Sequence, residues 1–227
     1  MATRRFAVIG LGRFGSTLAR GLAASGQEVI AIDSGQELIE ELQDVVDQAV
    51  RLDATDEKAL RAQGIDKVDV AVVSIGENFE ASLLATVLLR DMGVPEVIAR
   101  ATSQVRAQIL KLVGATEVVL PEDESASRLA QRLATPNVVD YLSIADGFSL
   151  VQLKAPKTFH HRSLDELALR RKFGITVLAI RRQHQATRDR PAGEDLLSVP
   201  GGDEVIQAGD ELVVVGPDEA LAKLPRE

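Results

Sequence analysis

Six consecutive residues, Gly10-Leu11-Gly12-Arg13-Phe14-Gly15, carry the spacing G-x-G-x-x-G. A loop of this kind works through its backbone. The first glycine permits a tight turn, the second lets the main chain approach a phosphate, and the third lets helix and strand pack closely. Free N–H groups and the positive end of the helix that follows then hold the anion. Asp33 stands eighteen residues beyond Gly15, at the end of an apolar run, where it is placed to accept ribose hydroxyls. A glycine turn that binds nothing is the bland alternative. Strand, glycines, helix and acid all fall in register, however, and an adenine nucleotide is the expected ligand.

Arginines gather around the same point. Arg13 would lie in the first turn of a helix, where a cation opposes the dipole unless an anion compensates it. Arg106 repeats the oddity at the start of its own helix, and Arg100 ends a strand. Each alone reads as a solvated surface charge, whereas together they favour a ligand with several phosphates. Pro121-Glu122-Asp123-Glu124 has the proline and acids that a first helical turn prefers. Its functional reading is a carboxylate for a divalent ion bridging phosphates, and sequence physics alone favours the structural one. His160, His161 and His184 show no spacing that resembles a metal site or a catalytic triad, and read as surface residues.

Positioning these groups is the task of an alternating series of elements. Arg5–Ile9, Val29–Asp33, Gln48–Arg51, Val68–Ser74, Glu96–Arg100 and Glu117–Leu120 are short and rich in Val and Ile, as in strands covered on both faces. Between them, Gly12–Ser25, Asn78–Met92 and Gln104–Val113 read as helices, and Gly26, Gly64, Gly93 and Gly114 mark left-handed helix ends. The alternation predicts an α/β fold with a doubly wound parallel sheet over residues 1–137. The helix Asn78–Met92 is apolar over more than a narrow stripe, through Phe79, Leu83, Leu84, Val87, Leu88, Leu89 and Met92. Burial against the sheet and burial against a second chain both remain open.

After Glu122–Ala134 the pattern changes. Residues 138–227 read as a smaller α+β lobe, entered through a linking segment 138–147. Its expected elements are a strand Phe148–Lys154, a helix Leu164–Lys172, a strand Thr176–Arg182, a long exposed loop Gln183–Leu197 and a strand Glu211–Val215.

Composition removes several classes of function. The chain has 227 residues and no cysteine, so disulfides, thiolate metal sites and cysteine nucleophiles are out. No apolar stretch approaches the ~18 residues of a membrane span, and the start lacks a signal-peptide pattern, so a cytosolic chain is expected. The net charge of −8 is spread over both parts, with 14 basic against 20 acidic residues in 1–137 and 12 against 14 in 138–227. Neither part has the basic excess that phosphate-backbone contact requires, so no nucleic acid partner is expected.

The segments RRFAVIGLGRFGSTLARGL, VIAID, RLDATDEKAL, VVSIGENFEASLLATVLL and VGATEVVLPEDE together resemble the cytosolic regulatory subunits of Ktr-type potassium uptake systems, which are RCK proteins. The similarity continues through SLDELALRRKFGITVLAIRR and IQAGDELVVVG, so it covers nearly the whole chain. Related Trk regulators usually carry two such units in tandem, and one here makes the Ktr type nearer.

That resemblance implies a Rossmann-like lobe and a smaller C-terminal lobe, in homodimers assembling into an octameric ring beneath a membrane potassium channel subunit. ATP or ADP, or NAD(H), would switch the ring between shapes that open or close the pore. Gly10, Gly12 and Gly15 would take the phosphates, and Leu11, Phe14, Ser34 and Glu77 count among the cofactor-binding residues. Asp33 would hold the ribose, with Asp53, Ala54, Ile75 and Gly76 on the adenine side. Arg13 would touch the terminal phosphate of ATP in a neighbouring subunit. Arg100 and Arg106 match further nucleotide contacts, and Glu122 matches an acid that binds a cation such as Mg2+ between subunits. Some relatives bind cyclic di-AMP in the C-terminal lobe, and no residue here is assigned to it.

The leading expectation is thus a ligand-gated binding protein, not an enzyme. An NAD-dependent oxidoreductase would share the glycine loop and Asp33 but needs an acid or base beside the nicotinamide and a larger second domain. A redox-sensing transcriptional regulator needs a basic DNA-binding element.

Overall fold

The structure is a computed structural model that describes residues 3–134, 138–184 and 193–225. It divides into two units, Met1–Asp123 and Glu124–Glu227.

In the first unit, β1 (Arg5–Ile9), α1 (Arg13–Ala24), β2 (Glu28–Asp33), α2 (Gln36–Glu40), β3 (Gln48–Arg51), α3 (Glu57–Ala62), β4 (Val70–Val73), α4 (Phe79–Asp91), β5 (Glu96–Arg100), α5 (Gln104–Val113), β6 (Glu117–Val119) and the start of α6 (Pro121–Ala134) follow one another. The six strands form one parallel sheet in the order β3-β2-β1-β4-β5-β6. Residues alternate between two cores, one on each face. Ala7 and Ile9 of β1 join Ile30, Ile32, Leu60, Val73 and Leu89 on one side. Val8 joins Leu11, Ala19, Val29 and Leu42 on the other. Chain order reverses between β1 and β4, so the loops leaving these neighbours diverge and open a crevice at their carboxyl ends.

The expected strands and helices of this unit are all present, with ends shifted by a residue or two. Gly26, Gly64, Gly93 and Gly114 all take positive φ. Two short helices were not legible as periodic patterns: α2 and α3 are too short for an apolar stripe to repeat. Asp56 is the signal for α3, accepting from the backbone N–H groups of Lys58 and Ala59. In α4, Ser82, Ala85, Thr86 and Leu89 are buried and Leu84 is exposed.

The second unit is built on β7 (Val138–Ala145), β8 (Phe148–Lys154), β9 (Thr176–His184), β10 (Gly193–Ser198) and β11 (Glu211–Pro217), an antiparallel sheet in the order β10-β9-β11-β8-β7. Short helices α7 (Leu164–Leu167), α8 (Leu169–Phe173) and α9 (Asp218–Leu221) complete it. Val151, Leu153, Ile180, Leu212 and Val214 form its core with Phe159, Leu167 and Ile206.

Three expectations need correction here. The segment 138–147 is not a plain link: it holds β7, which turns back on β8 through Asp146-Gly147, the dipeptide that a tight hairpin favours. The helix Leu164–Lys172 is two helices, broken at Ala168, whose φ is 47°. The loop Gln183–Leu197 contains the end of β9 and most of β10, an edge strand whose pairing uses backbone groups and so tolerates a polar sequence. Residues 185–192 of that loop lie outside the described residues.

Candidate functional site

A cleft of about 960 Å3 opens at the carboxyl ends of β1, β2 and β4. Gly10 sits at φ 91°, and a Cβ there would stand 2.9 Å from the backbone nitrogen of Ile75, so the loops after β1 and β4 touch. A Cβ on Gly15 would collide with the Gly10 carbonyl oxygen and with Ser74 Oγ. Ser74 itself is buried and donates its hydroxyl to the Gly10 carbonyl. Around Gly12, by contrast, an added Cβ would meet nothing within 4 Å. The backbone there is open to the cleft.

Helix α1 begins at this opening with no side-chain cap and no acid in its first turn. Its first N–H groups lack intrahelical acceptors, and an anion is the partner they favour. Arg13, exposed, and Phe14 line the same mouth. At the end of β2, Asp33 accepts the N–H of Leu11 on Oδ2 at 2.6 Å and that of Gly35 on Oδ1 at 2.7 Å. Each oxygen has a further lone pair for a hydroxyl. Ser34 lines the cleft beside it.

Asp53 and Ala54, after β3, and Ile75, Gly76 and Glu77, after β4, form the far wall. Thr55 donates its N–H and its hydroxyl to Asp53 Oδ1, at 2.9 and 2.7 Å. These bonds hold the Asp53 carboxyl below the usual carboxylate range, the backbone bond most of all. Arg100, at the end of β5, donates through Nη2 to Glu122 in the first turn of α6. The Arg100 hydrogen bond holds Glu122 below its ordinary value.

Three of the expected residues do not line the cleft. Leu11 is fully buried beneath the loop, where it packs against α1 and β2 and offers only its N–H. Gly15 is enclosed by Gly10 and Ser74. Arg106 lies over the Phe79 ring at 5.0 Å and donates to Thr102. Conversely, Thr17, Leu52, Ser74, Asn78 and Ala81 line the cleft and were not singled out. Thr17 was findable: it is one turn beyond Arg13 on the same helical face.

The backbone cradle at Gly12, the uncapped helix and the Arg100 Nε, buried without a hydrogen-bond partner, suit a phosphorylated ligand. Glu122 would offer a divalent ion one carboxylate, and among the described residues no cluster of three acids or histidines could hold one. Such an ion would need oxygens from the phosphates and water as well. His160 Nε2 lies 3.1 Å from the Ala155 carbonyl oxygen and His161 is exposed, both in the second unit.

Sheet order, glycine loop and cleft together define a Rossmann-type nucleotide-binding domain, followed in the chain by an antiparallel α+β unit. Comparison with known proteins places both. The chain belongs to the family that joins a TrkA-N domain, matched by residues 6–121, to a TrkA-C domain, matched by residues 148–227. It is 35% identical over 213 residues to Ktr system potassium uptake protein C of Bacillus subtilis, covering 94% of this chain and 92% of that one. The GsuK channel superposes with a TM-score of 0.67 at 18% identity, over 98% of this chain and 39% of the channel chain, a likeness of fold. The NAD(P)-binding domain of an exopolyphosphatase-related protein from Archaeoglobus fulgidus is 30% identical with a TM-score of 0.51, over 58% of this chain and 98% of that domain.

Proposed function

We propose that this chain is the cytosolic nucleotide-binding subunit of a potassium uptake system, and that it gates a membrane channel subunit according to the nucleotide it holds. The observation that carries this reading is the open backbone at Gly12 leading into an uncapped α1, inside a family whose relatives are potassium uptake proteins. The ligand is an adenine nucleotide, ATP or ADP. Gly10 and Gly12 hold its phosphates, Asp33 and Ser34 its ribose, and Asp53, Ala54, Ile75, Gly76 and Glu77 its base. Arg13 senses the terminal phosphate of ATP across a subunit boundary, which resolves the unfavourable cation in the first turn of α1. Glu122 contributes to a cation such as Mg2+.

The protein is a switch rather than an enzyme, and works as homodimers in an octameric ring. Exposed Leu84 on α4 and Val105 and Leu112 on α5 support further burial between subunits. No helix among the described residues is long and apolar enough to cross a membrane, and the ring sits at the inner face of the membrane through its partner. Only a difference in affinity between states can move the gate. One extra phosphate contact supplies a coupling of ~1–3 kcal/mol.

A second reading, an NAD(H)-binding sensor, is favoured by the likeness to the Archaeoglobus NAD(P)-binding domain. Calorimetric titration of the purified chain with ATP, ADP, NAD and NADH, in wild type and Arg13→Ala, separates the two. The gating reading expects the substitution to weaken ATP much more than ADP. A preference for NADH that ignores Arg13 would replace it with the sensor.

A further inference from the structure

Arg100 touches three separate walls of the cleft. Its guanidinium carbon lies 6.0 Å from the centre of the Phe14 ring on α1. Its Nη1 stands 2.7 Å from where a Cβ on Gly76 would be, so the guanidinium lies directly against the backbone after β4. Its Nη2 pairs with Glu122 on α6. The arginine side chain is 17% exposed and the glutamate 62%. Arg100 Nε is buried with no hydrogen-bond partner.

A guanidinium has five N–H donors in a fixed fork, matched to two oxygens of a carboxylate or phosphate. Here one donor serves Glu122 and the Nε donor is unused. An ion pair with one largely exposed partner contributes little, so little is lost when it is exchanged for a more highly charged anion. A phosphate is that anion: it has more charge and more acceptor oxygens than a carboxylate.

We propose that Glu122 is an internal competitor for the nucleotide phosphate. The carboxylate holds Arg100 until a nucleotide diphosphate or triphosphate takes the guanidinium and displaces it. This rests on the nucleotide-binding reading above and adds to it a device that sets affinity. Exchange also frees Glu122 in the first turn of α6, the helix within which the chain passes from the first unit to the second. Phosphate occupancy is thereby felt by an element outside the glycine loop.

The competition is tested by calorimetry in metal-free buffer containing a chelator, with ADP and with adenosine. Glu122→Gln keeps the shape of the side chain and removes its charge. ADP should then bind about two- to fivefold more tightly, with adenosine unchanged. Removing any negative charge near phosphates would also help, so the decisive arm repeats the substitution in an Arg100→Gln background. There the gain should vanish, since no guanidinium remains to be released. Asp123→Asn, whose carboxylate accepts from Gln104 and not from Arg100, should give no comparable gain. A gain that persists without Arg100, or an ADP affinity that Glu122→Gln weakens or leaves alone, overturns the proposal while the nucleotide reading stands. Wild-type protein that binds no ADP overturns both.

Discussion

The backbone N–H of Leu11 donates to Asp33 Oδ2 across 2.6 Å, tying the middle of the glycine loop to the end of β2. Asp33 is therefore a strut for the glycine loop, since its other oxygen holds Gly35. Asp33→Ala strands both N–H groups, at ~1–3 kcal/mol for each partner lost from a buried setting. Asp33→Asn keeps one acceptor and should cost about half as much. Urea unfolding gives the stability, and hydrogen exchange at Leu11 and Gly35 locates it. Unchanged exchange at both amides would contradict the strut.

Gly12 and Gly15 belong to one motif but fail for different reasons. A methyl on Gly15 collides with the Gly10 carbonyl and Ser74 Oγ, and overpacking of this kind costs ~1–3 kcal/mol. A methyl on Gly12 meets nothing, and that residue's φ of −61° suits alanine. Gly12→Ala should therefore melt like wild type and bind ADP at least tenfold more weakly, because the methyl occupies the approach of the phosphate. Gly15→Ala should lose stability first. Equal melting temperatures for the two variants would refute the distinction.

The path from β1 through α1 to Asp33 was legible because each step has its own signal: an apolar run, a glycine loop, a helix and an acid. Edge strands carry no such signal. β10 pairs through its backbone in a polar stretch, and β7 hides behind the hairpin turn at Gly147. Ser74 shows the limit for the site. Its hydroxyl meets the carbonyl of Gly10, sixty-four residues earlier, and nothing local distinguishes it from any serine ending a strand. Arg106 shows the converse. Its position near a helix start resembles that of Arg13, but its guanidinium lies over the Phe79 ring and does not line the cleft.

Asp53 offers a pH test whose sign is fixed by its partners. Thr55 holds its carboxyl below the ordinary 3.8. A carboxyl with a lower pKa folded than unfolded adds stability above the unfolded value, and loses it as pH falls through the folded one. The contribution of Asp53 is thus intact at neutral pH and fades only below 3.8. Thr55→Val removes the hydroxyl and keeps the backbone N–H, which is the larger cause. The Asp53 pKa should rise part of the way toward 3.8, read by carboxyl-carbon NMR titration. A full return would assign the effect to the hydroxyl alone.

In the second unit, Arg182 grips Asp210 with two bonds, Nε to Oδ1 at 2.9 Å and Nη2 to Oδ2 at 2.8 Å. Asp210 is 1% exposed, and Glu204 and the Val205 carbonyl share the same guanidinium. Asp210, first among these partners, raises the Arg182 pKa. The pair joins the turn before β11 to β9. Arg182→Met leaves a buried carboxylate to which the Gln207 N–H still donates, and breaking a buried pair from one side costs ~3–5 kcal/mol. Removing both charges, in Arg182→Met with Asp210→Leu, should cost less than Arg182→Met alone, because the stranded charge goes with its partner. Hydrogen exchange over β9 and β11 measures the loss, with β1 and β2 as internal reference. A double variant worse than the single one would show that the pair is held for the hydrogen bonds it makes rather than for the charge it neutralises.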